Sequence, residues 1–297
     1  MKSSYARPLD AIATAVTVLL CLSWGFNQVA IKLAMVDFPP LVQATIRSAG
    51  ALIIVVTWAR LRGVALFDAD GTLWPGFWSG VLFGLEFVLV YLGIYFSTAS
   101  RAALFLYTAP FFVALGARWF LPGERLLAVH WIGLALCFAG VAVAVGAPDP
   151  TIDTRVLMGD AMLIGGGAMW AATTLLIKAS ALARIAAEKA FAYQVAVSVP
   201  ILAAGAFVFG ESVPAAPASG SIAWLAYQTV WVVGITYPLW FALVQRYSAS
   251  RLSAFTFLTP LFGVAASHMF VGDAITPAFA TAVILVIAGL VLVNRQR

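Results

Sequence analysis

The chain of 297 residues is 63% apolar and only 10% charged, where a soluble globular protein carries about 25% charged residues. So few charges cannot coat a water-facing surface, and the same numbers exclude disorder, coiled coil, collagen and a disulfide scaffold. The net charge of +5 does not point to nucleic acid, because polytopic membrane proteins concentrate Lys and Arg in their cytoplasmic loops.

The fold class read from these numbers is an all-α polytopic membrane protein. Ten apolar segments follow one another: 10–33, 38–60, 72–97, 100–121, 127–147, 157–180, 189–209, 220–245, 252–271 and 275–293. About 20 residues of helix cross the hydrocarbon core, so ten transmembrane helices are expected, with no room for an aqueous domain between them. The first segment is too long for a cleaved signal peptide and lacks a small-residue cleavage site, so it is expected to stay in the mature chain. With the N-terminus inside, thirteen of the 17 Lys and Arg residues fall on the inner side. Lys32, Arg101 and Arg155 fall outside, and Arg47 lies within a span. The positive-inside rule therefore predicts cytoplasmic N- and C-termini in the plasma (inner) membrane.

The chain is also written twice. Trp24 precedes Lys32 by eight residues, and Trp170 precedes Lys178 by eight. Gly84 and Gly234, Ser100-Arg101 and Ser250-Arg251, Phe105 and Phe255, and Pro110 and Pro260 match at a spacing of 150. A one-residue shift then aligns Glu124 with Asp273 and Ala139-Gly140 with Ala288-Gly289. The predicted organisation is a first five-helix repeat over 1–147, a linker over 148–156 and a second repeat over 157–297. Five spans is an odd number, so the second repeat is upside down relative to the first. Inverted repeats of this kind characterise secondary transporters, which bind substrate near the midplane between the halves.

The residues that carry this repetition also resemble a known family. Trp24-Gly25-x-Asn27-x-x-Ala30-x-Lys32, Arg47, Ser100-Arg101-Ala102-Ala103-Leu104 leading to Pro110, and Leu121-x-Gly123-Glu124-Arg125 look like the ten-helix EamA-like branch of the drug/metabolite transporter superfamily. Trp170, Lys178, Gln194, Ser250-Arg251-Leu252-Ser253, Thr259-Pro260 and Gly289 repeat the pattern. The resemblance covers almost the whole chain. It implies a basket of ten helices, with the fifth and tenth often peripheral, and export of small metabolites. The bacterial aromatic amino acid exporters are the closest functional analogy among the family's members.

Polar groups inside the spans are costly in lipid and normally face a cavity or a partner. At 1.5 Å per residue, Arg47 lies about 14 Å and Glu86 about 16 Å from the outer ends of adjacent helices. They are either a mutual ion pair or a charged wall that meets a zwitterion or carries a proton. Glu86 is the one carboxylate deep in a span and so the candidate for proton coupling. The small four-helix proton-coupled exporters of the same superfamily carry a glutamate in their first helix. This chain has none there, so facilitated export is the simpler default.

Trp24, Gln28 and Lys32 share a helical face, as do Trp170, Thr174 and Lys178. Asn27 and Thr173 flank the two stripes. Such a face suits a small amphipathic solute, while the two lysines, at span ends, read as snorkelling anchors. Phe87, Tyr91 and Tyr95 form a further stripe beside Glu86. With Tyr107, Tyr237, Trp240 and Phe241 they favour a cavity that accepts aromatic side chains, or an organic cation. The predicted substrate-contacting residues are thus Trp24, Asn27, Gln28, Glu86, Tyr91, Tyr95, Tyr107, Trp170, Thr174 and Tyr237. Pro110 and Pro260 are candidate gating hinges or static kinks.

His130 and His268 have no further ligand at metal-binding spacing, and Cys21 and Cys137 read as buried packing thiols. No phosphate-binding loop, zinc-protease helix or nucleophile elbow is present. The expectation is therefore no enzyme, no cofactor, no metal, no nucleic acid and no ATPase subunit. The expected partners are the lipid bilayer and a small molecule, an amino acid or related metabolite. Export of aromatic organic cations is the alternative within the same fold. Nucleotide sugars would need several basic residues in the cavity, and only Arg47 is deep.

Overall fold

The computed structural model describes residues 9–97, 99–121, 124, 126–145, 153–271 and 277–295. Gly123, Arg125, Asp273 and most of the predicted linker lie outside these residues. Every regular element among the described residues is helical. Thirteen α-helices follow in order: α1 (Ala11–Ala34), α2 (Pro40–Leu61), α3 (Leu73–Phe96), α4 (Ala99–Phe105), α5 (Ala109–Phe120), α6 (Ala128–Val145), α7 (Thr154–Ala179), α8 (Ala187–Val208), α9 (Ser219–Ala226), α10 (Tyr237–Arg246), α11 (Ala249–Phe255), α12 (Leu258–Val271) and α13 (Pro277–Asn294). The ends are fixed by local chemistry. Asp10 caps α1 by accepting from Ala13 N at 2.8 Å. Glu211 Oε2 accepts from Leu41 N and Val42 N, each at 2.8 Å, where α2 has donors without intrahelical partners.

Among the described residues, eight helical stretches are long and apolar enough to cross a membrane, and Ala128–Ala144 is a shorter apolar one. The predicted fourth span is interrupted. It stops at Phe105, makes a 3₁₀ turn over Leu106–Thr108 with Tyr107 at φ −80°, ψ 17°, and restarts as α5 with Pro110 in its first turn. Proline has no N–H to donate and its ring excludes a helical carbonyl, so the helix yields just before it. The predicted ninth span breaks in the same way between Phe255 and Leu258, ahead of Pro260. Two hydroxyls bond carbonyls at these breaks: Thr108 donates to Phe105 O and Thr256 to Ser253 O, both at 2.7 Å. The eighth span runs from Ser219 to Arg246, but Tyr227–Thr236 is wound as a π-helix that ends where Pro238 opens α10.

Helix packing repeats in pairs. α1 packs on α12 as α7 packs on α5, and α3 on α8 as α2 on the π-helical segment. α3 lies along α7 as the α9–α10 stretch lies along α1, while α2 with α8 and α6 with α13 are their own counterparts. The helices before and after the predicted linker thus make equivalent sets of contacts. α6 and α13 pack on each other with little space between backbones. A Cβ on Gly289 would lie 2.5 Å from Gly133 O, and one on Gly133 2.7 Å from Gly289 O. Neither helix contributes to the central cavity.

Candidate functional site

The cavity sits in the middle of the bundle and has a volume of about 70 Å³. α1 supplies Trp24, Asn27, Gln28 and Ile31, which share a face at i, i+3, i+4 and i+7. α2 supplies Arg47, and α3 supplies Phe83, Glu86, Phe87, Val90 and Tyr91. Trp170 and Thr173 come from α7, and Tyr237, Trp240 and Phe241 from α10. The break in the fourth span turns Leu106 and Tyr107 into the wall. Both halves of the chain therefore contribute.

One wall is aromatic. Trp24 stands edge-on to Trp240, Tyr237 and Trp170, with ring centroids 5.3, 5.9 and 6.1 Å away. Tyr107 extends the cluster at 6.0 Å from Trp170. The Trp24 indole is held in place because its Nε1 donates to Thr236 Oγ1 at 2.8 Å, and Thr236 donates in turn to Val232 O at 2.5 Å inside the π-helical segment. π-Helical turns often occur at functional sites, and here the widened turn leaves room for this bond.

The other wall carries the charge. Arg47 is fully buried, with its guanidinium carbon 4.1 Å from the Phe87 ring centroid and 5.3 Å from that of Tyr91. Among the described residues none of its three guanidinium nitrogens has a hydrogen-bond partner. Glu86 is also buried, and no ion pair joins it to Arg47. The two charges line one cavity separately. Asn27 Oδ1, Thr173 Oγ1 and Trp240 Nε1 are further buried polar atoms of the wall without partners. Tyr91, in contrast, is anchored: its hydroxyl donates to Gln228 Oε1 at 3.2 Å, and Gln228 donates to Ala30 O at 3.4 Å.

Of the residues expected from sequence, Trp24, Asn27, Gln28, Arg47, Glu86, Tyr91, Tyr107, Trp170 and Tyr237 meet at this cavity. Tyr95 and Thr174 do not. Tyr95 is 65% exposed on the outside of α3, because at 3.6 residues per turn eight residues overshoot two turns by about 80°. Thr174 is buried elsewhere, and its neighbour Thr173 faces the cavity instead. Pro110 and Pro260 stand beside the helix breaks rather than on the wall. Ile31, Val90 and Leu106 carried no sequence signal of their own beyond apolarity, although Ile31 lies two turns from Trp24 on the same face.

Both ends of the bundle are tied. At the end that carries Asp10, the Glu124 carboxylate accepts from Ser248 Oγ at 2.9 Å, Ala249 N at 3.1 Å and Ser250 N at 3.2 Å. Lys178 Nζ lies 3.6 Å from it and donates to Val244 O at 2.9 Å and to Tyr247 O. Lys178 therefore does not snorkel, whereas Lys32 is exposed. At the opposite end Asp160 pairs with Arg101 and accepts from Ser97 Oγ at 2.8 Å. A second cavity, about 640 Å³, lies beside the α2–α3 loop. Its Asp70 and Lys189 are already paired at 2.8 Å, and Lys189, with the Thr72 hydroxyl, holds the Asp70 carboxyl down at about 2.

The EamA-like transporter family model matches residues 11–146 and again 157–295. The chain belongs to the EamA-like transporter family. It is thus a multi-pass membrane protein of the drug/metabolite transporter superfamily. It is 26% identical over 282 residues to the uncharacterized transporter YvbV of Bacillus subtilis, covering 93% of this chain and 90% of that one. A "probable amino-acid metabolite efflux pump" of Salmonella typhimurium is 27% identical over 284 residues, with 92% and 91% covered. Its namesake in Escherichia coli is 25% identical over 283 residues, again with 92% and 91% covered. A crystal structure at 20% identity shares the fold, with a TM-score of 0.80 over 95% of this chain and 97% of that one.

Proposed function

We propose that this transporter exports amino acids or similar small amphipathic metabolites across the plasma membrane by alternating access. In this reading the two halves are the five-helix repeats 1–147 and 157–297, both termini are cytoplasmic, and the central cavity is the substrate site. The observation that carries it is one cavity with an aromatic wall, the Arg47 guanidinium without a hydrogen-bond partner among the described residues, and the Glu86 carboxylate. The efflux-pump names of the Salmonella and Escherichia relatives support the same substrate class.

Trp24, Trp170, Tyr107 and Tyr237 would take the apolar side chain, Asn27 and Gln28 its polar edge, and Arg47 and Glu86 would set the electrostatics. At about 70 Å³ the cavity is smaller than the roughly 300–1,000 Å³ of typical ligand pockets. The halves must move apart to admit substrate, and the breaks before Pro110 and Pro260 are the places to flex. Uptake into proteoliposomes across an amino acid panel tests this; flux of other solutes with indifference to every amino acid overturns the substrate class. Glu86→Gln abolishes any pH-gradient dependence if Glu86 carries a coupled proton, and leaves it intact otherwise.

A second reading, export of aromatic organic cations, is favoured by the Trp24, Trp170, Trp240 and Tyr237 cluster with the Glu86 carboxylate on the same cavity. The same assay with a quaternary ammonium panel separates the two.

A further inference from the structure

We infer that Arg47 is the anchor for a carboxylate group of the transported solute, so that the site selects solutes with a single carboxylate and an apolar or aromatic side chain. The inference rests on the substrate-export reading of the central cavity and names the group that this cavity recognises.

Burying an arginine is tolerated when its charge is paired and its N–H groups are bonded. Arg47 has neither. It is fully buried, its three nitrogens lack partners among the described residues, and no carboxylate forms an ion pair with it. Against it lie the Phe87 and Tyr91 rings, with the guanidinium carbon 4.1 and 5.3 Å from their centroids. A guanidinium carries five donors in one plane that matches a carboxylate, and none of the three nitrogens here has a partner among the described residues.

Phe87 and Tyr91 fix the orientation, and Tyr91 is itself fixed by Gln228. The anchor is therefore pre-set rather than adaptable. One guanidinium balances one negative charge. Glu86 on the same cavity adds negative charge that opposes a phosphate dianion more than a single carboxylate, and the guanidinium fork matches the carboxylate in a bidentate pair. The aromatic wall then receives the remainder of the solute.

The test compares L-phenylalanine, L-phenylalaninamide and 3-phenylpropionate on the purified full-length transporter, by thermal-shift competition and by counterflow in proteoliposomes. The expected result is that wild type prefers phenylalanine to its amide by about tenfold or more. Arg47→Gln brings that ratio to within about twofold, and Arg47→Lys, which keeps the charge but not the planar fork, gives an intermediate ratio. The wild-type comparison needs no variant, so poor folding of Arg47→Gln does not remove the test.

Equal affinity of wild type for acid and amide overturns the inference, as does a folded Arg47→Gln that still discriminates. In either case, flux of phenylalanine leaves the export reading standing. Binding of 3-phenylpropionate without any amino acid has the opposite meaning: the carboxylate anchor stands and the amino acid reading falls. Failure of all three ligands to bind wild type overturns the inference.

Discussion

Lys178 and Glu124 meet at 3.6 Å where α7, the segment between α5 and α6, and the start of α11 converge. The carboxylate also accepts from Ser248, Ala249 and Ser250. One acidic side chain from the first half thus gathers two elements of the second. Lys178 also bonds the carbonyls of Val244 and Tyr247, so the same ammonium ties α7 to α10 and to the residue that follows it.

Glu124→Ala removes that acceptor and leaves a mostly buried ammonium without its carboxylate, a kind of change that costs roughly 3–5 kcal/mol in a packed interior. The expected outcome is a lower Tm together with faster maleimide labelling of an Ala249→Cys reporter, since the end opens. Labelling as slow as in the parent reporter would show that the tie does not hold this end shut.

Thr236→Val keeps the shape of the side chain but removes the acceptor of the Trp24 indole. A typical hydrogen bond contributes about 1 kcal/mol net, so global stability should change little. Substrate affinity should fall several-fold, because Trp24 loses the contact that sets its angle to Trp170, Tyr237 and Trp240. Equilibrium binding of the best transported substrate measures it.

Gly289→Val places carbon atoms where Gly133 O and Cys137 N already stand, 2.5 and 2.8 Å from the first of them. Forcing α6 and α13 apart should destabilise by about 1–3 kcal/mol. Substrate affinity at permissive temperature should be unchanged, since neither helix lines the cavity. A thermal melt and a binding isotherm on the same preparation separate the two effects.

Asp70 titrates at about 2, held down by Lys189 and by the Thr72 hydroxyl. A depressed carboxylate stabilises the folded state fully above its ordinary value of 3.8 and loses that contribution as pH falls toward 2. The Tm of Asp70→Asn should therefore lie below wild type from pH 5 to 7 and converge with it near pH 2. A gap that persists unchanged into acid would mean that the Lys189 pair is not its source.

The membrane class, the segment limits and the repetition were legible because each is a local or periodic property. Apolar runs of helical length mark the spans, and the 150-residue spacing of Pro110 and Pro260 foretold a pair of equivalent positions. Most of the candidate cavity was legible for a related reason: ionisable and amide groups are rare in lipid, so Arg47, Glu86, Asn27 and Gln28 announce themselves. Tyr95 and Thr174 lie off this cavity, Tyr95 because i+8 spacing drifts about 80° off the starting face, and which face looks inward is set by three-dimensional packing. The π-helical winding before Pro238 left no sequence signal beyond the proline itself.

What the sequence by itself determined is thus the solvent of this protein and its twofold construction, since hydrophobicity and internal repetition are written residue by residue. Only the tertiary structure decided how the charges are used. Arg47 and Glu86 line one cavity without closing into an ion pair, and the guanidinium lies against the Phe87 and Tyr91 rings. Glu124 and Lys178, distant in sequence, were brought into one tie because α7 packs on α5, and α11 on both. Pairing depends on which helices become neighbours, and that is settled by packing.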